Sequence, residues 1–390
     1  MFLEILLAIL IGVTAGTFTG VIPGLHVNAI AAVSVTFAGL IETTLLVVFI
    51  IAMSVTHTFM DILPSTYLGA PGETYLISAL PAHQLLMEGK GHFAVFLSLV
   101  GGLMTLVWIL IFSVVVFSLL PFLQGFIAPI VGYVLLVVVC YLVFKDGLQA
   151  FLVFVLAAVL GMLTLNVGLT QPFLPLFSGL FGVSLLLLSL QTVSSIPKQH
   201  HQSYSVGFFQ SAGMGLLATI GGFFAAFLPG LGTSQIAIYA CQFVKQTAQN
   251  YLLITGGLNT ASFVLSLFTF YIIERARNGS LVAIESIVSF DSQLFFLGIG
   301  VALLSCSLAS IITLVSSKGF ATMMSKIPYA FLVFSVIGFL CALVFFLDGL
   351  FGLLFLASAT SLGIYTQLQG VAKHHLMGSL LIVVLLFFLS

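Results

Sequence analysis

A ten-residue stretch of apolar sequence, GTFTGVIPGL at residues 16 to 25, returns at residues 222 to 231 as GFFAAFLPGL. Gly16, Gly20, Pro23, Gly24 and Leu25 align with Gly222, Ala226, Pro229, Gly230 and Leu231 at a constant offset of 206. Each copy sets small residues four apart and then interrupts the apolar run with Pro-Gly. Small residues at that spacing let two helices approach closely, and a Pro inside an apolar run ends one helical stretch so that another can start. A broken, tightly packed helix of this kind is a building block of membrane transporters, and its duplication predicts two related halves.

Composition points the same way. Of the 390 residues 61% are hydrophobic and 5% are charged, whereas about a quarter of an ordinary soluble domain is charged. The expected fold is therefore an all-α polytopic membrane protein with the lipid bilayer as its surroundings. The nine basic residues are spread between apolar runs and form no stripe, which argues against a nucleic-acid partner. The first apolar run opens at Phe2 with Glu4 and no basic leader, so it is taken as a membrane segment and not as a cleaved signal.

Apolar runs bounded by Pro, Gly or charge suggest segments near 3–22, 27–41, 45–63, 93–120, 123–144, 148–166 and 171–191, then 208–228, 233–247, 250–273, 292–316, 329–347, 349–366 and 374–389. The polar stretch TVSSIPKQHHQSYSVG, residues 192–207, divides them into a first repeat at 1–191 and a second at 208–390. His200 and His201 in that linker are read as solvated, and no metal site is expected. Alternating fourteen segments from an outside N-terminus puts Lys90, Lys145, Lys198, Lys245, Lys318, Lys326 and Lys373 on one face, with only Arg275 and Arg277 on the other. The positive-inside rule then places both termini outside a cell membrane. An odd number of segments per half makes the second repeat inverted relative to the first, a plan in which substrate binds near the midplane and access alternates.

Each half also carries a stretch too polar for an ordinary span, residues 64–92 and 274–291. Both are expected to be re-entrant hairpins or gates, because irregular backbone at membrane depth survives only against protein or a water-filled cavity. Pro71, Gly72 and Glu73 form the turn of the first, and Arg275 and Arg277 stand in the second, where they could pair with a carboxylate or phosphate or anchor at the interface.

The helix N-termini freed after Pro23-Gly24 and Pro229-Gly230 could hold an anion without a charged side chain. With the polar residues that follow, this gives a candidate substrate set of Pro23, Gly24, Leu25, His26 and Asn28 from the first copy and Pro229, Gly230, Leu231, Thr233, Ser234 and Gln235 from the second. Asn259, beside Gly256 and Gly257, is added as a substrate or interhelical contact. His57 and Asp61, four residues apart on one helical face, are the candidate ion-coupling pair, for a proton or sodium. No enzyme signature is present: GxSxG, HExxH, CxxC and the P-loop are all missing, so no catalytic residue and no cofactor is assigned.

Three stretches, GTFTGVIPGLHVNAIAAV, LGAPGETYLISALPAHQLLMEGKGHFAV and GFFAAFLPGLGTSQIAIYACQFVK, together resemble the large membrane subunit of tripartite tricarboxylate transporters, the TctA family, in a short, archaeal-type branch. The resemblance implies an inverted-repeat secondary transporter, a symporter of organic carboxylates, served in bacteria by a soluble binding protein. Carried over by position, Pro23, Gly24, Leu25, Pro71, Gly72, Pro229, Gly230, Leu231 and Asn259 would belong to that family's framework and central site. The chain departs from the family pattern where it reads ERARNGS in place of a second Gly-x-Pro-Gly hairpin and ALPAHQLLMEG before the Lys-Gly pair. A more distant similarity is to polyprenyl-phosphate translocases, whose anion is a lipid head group. The readings left open are a transporter of a small organic anion, a lipid-phosphate carrier and a non-transporting membrane scaffold. Partnership with a second copy, a soluble binding protein or a small membrane subunit is likewise undecided by sequence.

Overall fold

A computed structural model of the chain describes residues 1–22, 25, 27–67, 79–127, 131–190, 199, 204–227, 233–245, 247–274, 276, 278–324 and 328–389. Among these residues no strand forms, and the regular elements are helices, as hydrocarbon surroundings demand of a chain that must satisfy its own amides. In the first half they are α1 (Phe2–Val21), α2 (Val27–Val35), α3 (Thr43–Met60), α4 (Ile62–Tyr67), α5 (Ala79–Met87), α6 (Gly91–Ile127), α7 (Val131–Asn166), α8 (Phe173–Phe177) and α9 (Ser184–Ser189). The second half supplies α10 (Phe208–Phe227), α11 (Thr233–Gln242), α12 (Ala248–Ile273), α13 (Gly279–Glu285), α14 (Ser292–Met324), α15 (Tyr329–Leu368) and α16 (Gly378–Leu389). α1 and α10 are both 20 residues long and begin and end 206 positions apart, so the sequence offset is also the offset of the helices.

Eight of the described helical stretches are long and apolar enough to cross a membrane: Phe2–Val21, Thr43–Tyr67, Gly91–Leu123, Val143–Asn166, Phe208–Phe227, Ala248–Ile273, Ser292–Phe320 and Val333–Leu368. Four come from each half, and the chain is a multi-pass membrane protein. The fourteen expected segments reduce to these eight for two reasons. α2, α11, α16 and the apolar run over residues 173–188 are too short to span, and the pairs expected at 123–144 with 148–166 and at 329–347 with 349–366 fall within α7 and α15, each interrupted by non-helical backbone at Gly147 or Gly349. Outward-facing Phe, Leu and Val along α6, α14 and α15, such as Val114, Val315 and Phe346, present the apolar surface that lipid would cover.

The described residues group into two compact units. The first is built from Met1–Pro121 together with Ser194–Phe227 and Thr233–Ile327, the second mainly from Phe122–Val193 and Pro328–Ser390. Each half thus gives its first part to one unit and its last part to the other, and the cut points, after Pro121 and after Ile327, are again 206 apart.

In the first unit α1 packs on α3 and α10 on α12. Nearly all of α12 is buried, so its polar residues turn inward on their own helix: Thr255 and Thr260 donate to the carbonyls of Tyr251 and Gly256. α6 crosses α12 at backbone contact. A methyl group on Gly101 would overlap the Leu253 carbonyl, and one on Gly256 would overlap the Ser98 carbonyl.

The second unit holds a repeat of its own. FKDGL at 144–148 and FLDGL at 346–350 stand 202 apart, and in each the helix changes direction at the glycine, Gly147 with φ 83° and Gly349 with φ 63°. Only glycine takes that conformation without strain. Downstream, Gly161 lies against the backbone of Ser379, and Gly363, again 202 residues on, lies against the carbonyl of Leu180. Buried clusters formed by Val139, Val143, Phe154, Leu381 and Leu385, and by Val153, Ala157, Leu176, Leu180, Ala359 and Leu376, complete this unit.

The α6–α12 crossing predicts that Gly256→Val, which has no room to relax against backbone, will lower stability by about 1–3 kcal/mol. Thermal unfolding of the purified protein in detergent would check this, with Gly300→Ala, where a methyl meets open space, as the comparison.

Candidate functional site

The candidate site lies in the first unit, where helices from both sequence halves bring polar groups together. Asp61 follows the last residue of α3, and its N–H still donates to the carbonyl of His57 at 3.1 Å. Its carboxylate faces Asn259, in the middle of α12, whose side-chain nitrogen Nδ2 stands 3.1 Å from Oδ1 and 3.0 Å from Oδ2. The same nitrogen donates to the backbone carbonyl of Thr58 at 2.8 Å. One amide group thereby fastens the end of α3 to the centre of α12, and does so with an acid whose ionised form accepts such bonds strongly.

His57 sits one turn before Asp61. Its Nδ1 is 3.2 Å from the Thr19 hydroxyl oxygen near the end of α1. That hydroxyl donates to the carbonyl of Gly16 at 3.2 Å, which leaves its lone pair to accept from a Nδ1–H tautomer of His57. Gly20 makes the approach of α1 to this part of α3 possible, since a side chain there would strike Met60 and the backbone at His57 and Asp61. The expected coupling pair therefore spans two interfaces, His57 toward α1 and Asp61 toward α12.

The sequence pattern hid further polarity in the first unit. The hydroxyl groups of Ser54 and Thr56 on α3, Ser65 and Thr66 on α4 and Ser305 on α14 are buried and without a hydrogen-bond partner among the described residues. Burying a hydroxyl without a partner costs on the order of 1–3 kcal/mol. Serine and threonine are common in apolar helices for other reasons, and nothing in their spacing separates these from the rest.

Asn28 is also placed at a helix–helix contact. Its Oδ1 accepts from the N–H of Ser280 at 3.1 Å and from the Ser280 hydroxyl at 3.0 Å, tying α2 to the start of α13, where Asn278 caps the helix. Leu25 is buried just before α2. Thr233 opens α11, and Ser234 and Gln235 follow in the same helix, with the side chains of the latter two outside the described residues. Pro23, Gly24, His26, Pro71, Gly72, Glu73, Pro229, Gly230, Leu231, Arg275 and Arg277 all lie outside the described residues. Of the two expected hairpins, the described parts are α4, α5 and the loop to α6 in the first and α13 with its flanks in the second. Among the described residues no group of three or more His, Cys, Asp or Glu side chains could hold a metal ion.

The family model of the tripartite tricarboxylate transporter TctA family matches residues 6–378. The chain belongs to the TctA family. It is a family of transporters, and its model runs through both compact units and through every residue of the Asp61–Asn259 pair. The chain is also similar, at 28% identity over 355 residues, to an uncharacterized protein, MJ1079, of Methanocaldococcus jannaschii, with 87% of this chain and 86% of that protein covered. This agrees with an archaeal-type branch of TctA. No solved structure matches the chain.

Removing the amide that holds Asp61 should show directly in stability. Asn259→Ala is expected to cost about 1.5–3 kcal/mol, the range for a hydrogen bond to a charged group. Adding Asp61→Asn to that variant should restore part of the loss, because the carboxylate left behind is the larger part of the cost. Unfolding midpoints of the four proteins of this cycle would measure the coupling.

Proposed function

We propose that this TctA-family chain is a secondary active transporter of a small organic anion, of di- or tricarboxylate type, coupled to an ion gradient through Asp61 and His57. The observation that carries the reading is the Asp61–Asn259 contact: an ionisable side chain held between α3 and α12, one helix from each half, in a membrane protein of a transport family. Such residues are costly within a membrane and are typically kept for ion and substrate pathways. In this reading the Pro-Gly breaks at 23–24 and 229–230 offer helix N-termini to the carboxylates of the substrate, while Asp61 takes up the coupling proton or sodium.

The two halves act as inverted repeats that alternate the exposure of this site. The matched offsets of α1 with α10 and of the unit boundaries support a duplicated plan. A soluble binding protein or a small membrane subunit would deliver substrate from the outer side.

A thermal-shift screen of the purified protein tests the substrate class. Stabilisation by di- or tricarboxylates is the expected result, and stabilisation by polyprenyl phosphate alone would replace the solute transporter with a lipid-phosphate carrier. No shift with either class would favour a scaffold. In proteoliposomes, Asp61→Asn should abolish gradient-driven uptake while leaving substrate exchange above a tenth or so of the wild-type rate. Equal loss of both would mean that Asp61 serves binding or folding and not coupling.

A further inference from the structure

The two FxDGL copies of the second unit look alike in sequence but differ in what meets the aspartate. In the first copy Asp146 Oδ2 is 2.8 Å from Nε2 of His375, a buried imidazole from the short helical turn Lys373–Met377. In the second copy Asp348 Oδ1 accepts the N–H of Gln171 at 3.0 Å, while Oδ2 is buried with no hydrogen-bond partner among the described residues.

The sequence explains the difference. Gly168 and Gly370, both at positive φ, keep the offset of 202. After them, where the second half reads KHHLM, the first half reads QPFLPLF, which carries no imidazole and no cationic group.

Asp348 also lines a cavity of about 300 Å3, together with Val167, Gly168, Leu169, Thr170, Leu347 and Phe351. The cavity has no Lys, Arg or His in its wall, and four of its residues directly follow the C-terminal end of α7, where the helix dipole places partial negative charge. Residue 347 itself is lysine in the other copy, at Lys145. The Asp348 carboxylate, a helix C-terminus and a threonine bring to this cavity oxygen chemistry suited to a hard cation. One carboxylate balances one positive charge, and the volume accommodates an ion with several of its own waters, each needing about 30 Å3.

We propose that Asp348 and the loop 167–170 form a binding site for a small monovalent cation, which takes the place that the His375 imidazole fills at Asp146. The site is separate from Asp61 and stands whether or not the transport reading holds. The test is equilibrium binding, with no transport involved. Unfolding midpoints of the full chain in detergent are compared in sodium, potassium and choline chloride at matched ionic strength, with binding of radioactive sodium measured alongside. Sodium or potassium should raise the midpoint saturably over choline, by about 3 °C at a hundredfold excess over the dissociation constant.

Asp348→Asn should lose that response and weaken sodium binding more than about tenfold, while Asp146→Asn should keep it. Leu347→Lys, which retains the aspartate and brings in the lysine of the other copy, should also abolish the response. It decides the matter if Asp348→Asn does not fold. Identical midpoints in all three salts, or a wild-type response in either Asp348→Asn or Leu347→Lys, would overturn the site.

Discussion

Backbone amides in hydrocarbon have no water to bond, and everything in this chain follows from where it can afford to leave them unpaired by a helix. Long apolar stretches close their own hydrogen bonds and span. Among the described residues, interruptions include the turn at Asp61 between α3 and α4 and the glycines of the two FxDGL copies. At the turn after α3 the interruption coincides with Asp61, whose carboxylate is met by Asn259 from α12.

The close helix crossings make the second contribution. Between helices that share an apolar solvent there is little to gain from burial, so contact depends on fit. Gly16 and Gly20 let α1 lie against α3, and Gly101 and Gly256 let α6 lie against α12. The gain is positional. Asn259 stands three residues after Gly256, and the depth at which α12 packs sets how far its amide reaches toward Asp61.

Much of this was legible in the sequence. The offset of 206 gave the paired helices α1 and α10, the composition gave an all-helical membrane fold, and His57, Asp61 and Asn259 were each singled out as intramembrane polar residues. Their partners were not legible. Asp61 and Asn259 are 198 residues apart, and neither carries a periodic signal that names the other. The unpartnered hydroxyls of Ser54, Thr56, Ser65 and Thr66 look like any small polar residues in a helix until burial is known. The second repeat was hard to read because its longest run, FxDGL, shares only four residues at the offset of 202, whereas the fold preserves it through glycine contacts that no hydropathy profile records.

The separation of Asp61 from Asn259 has a consequence for how the chain is made. At about 5–20 residues per second, the ribosome adds the 198 residues between them in roughly 10 to 40 s. Throughout that interval Asp61 has no amide from α12 to meet, so the contact that holds it forms only after α12 has been made. Neither compact unit can close before the second half emerges, since each needs helices from both. Assembly of this protein is therefore a late event, completed from the C-terminal half backwards onto helices that have been waiting in lipid.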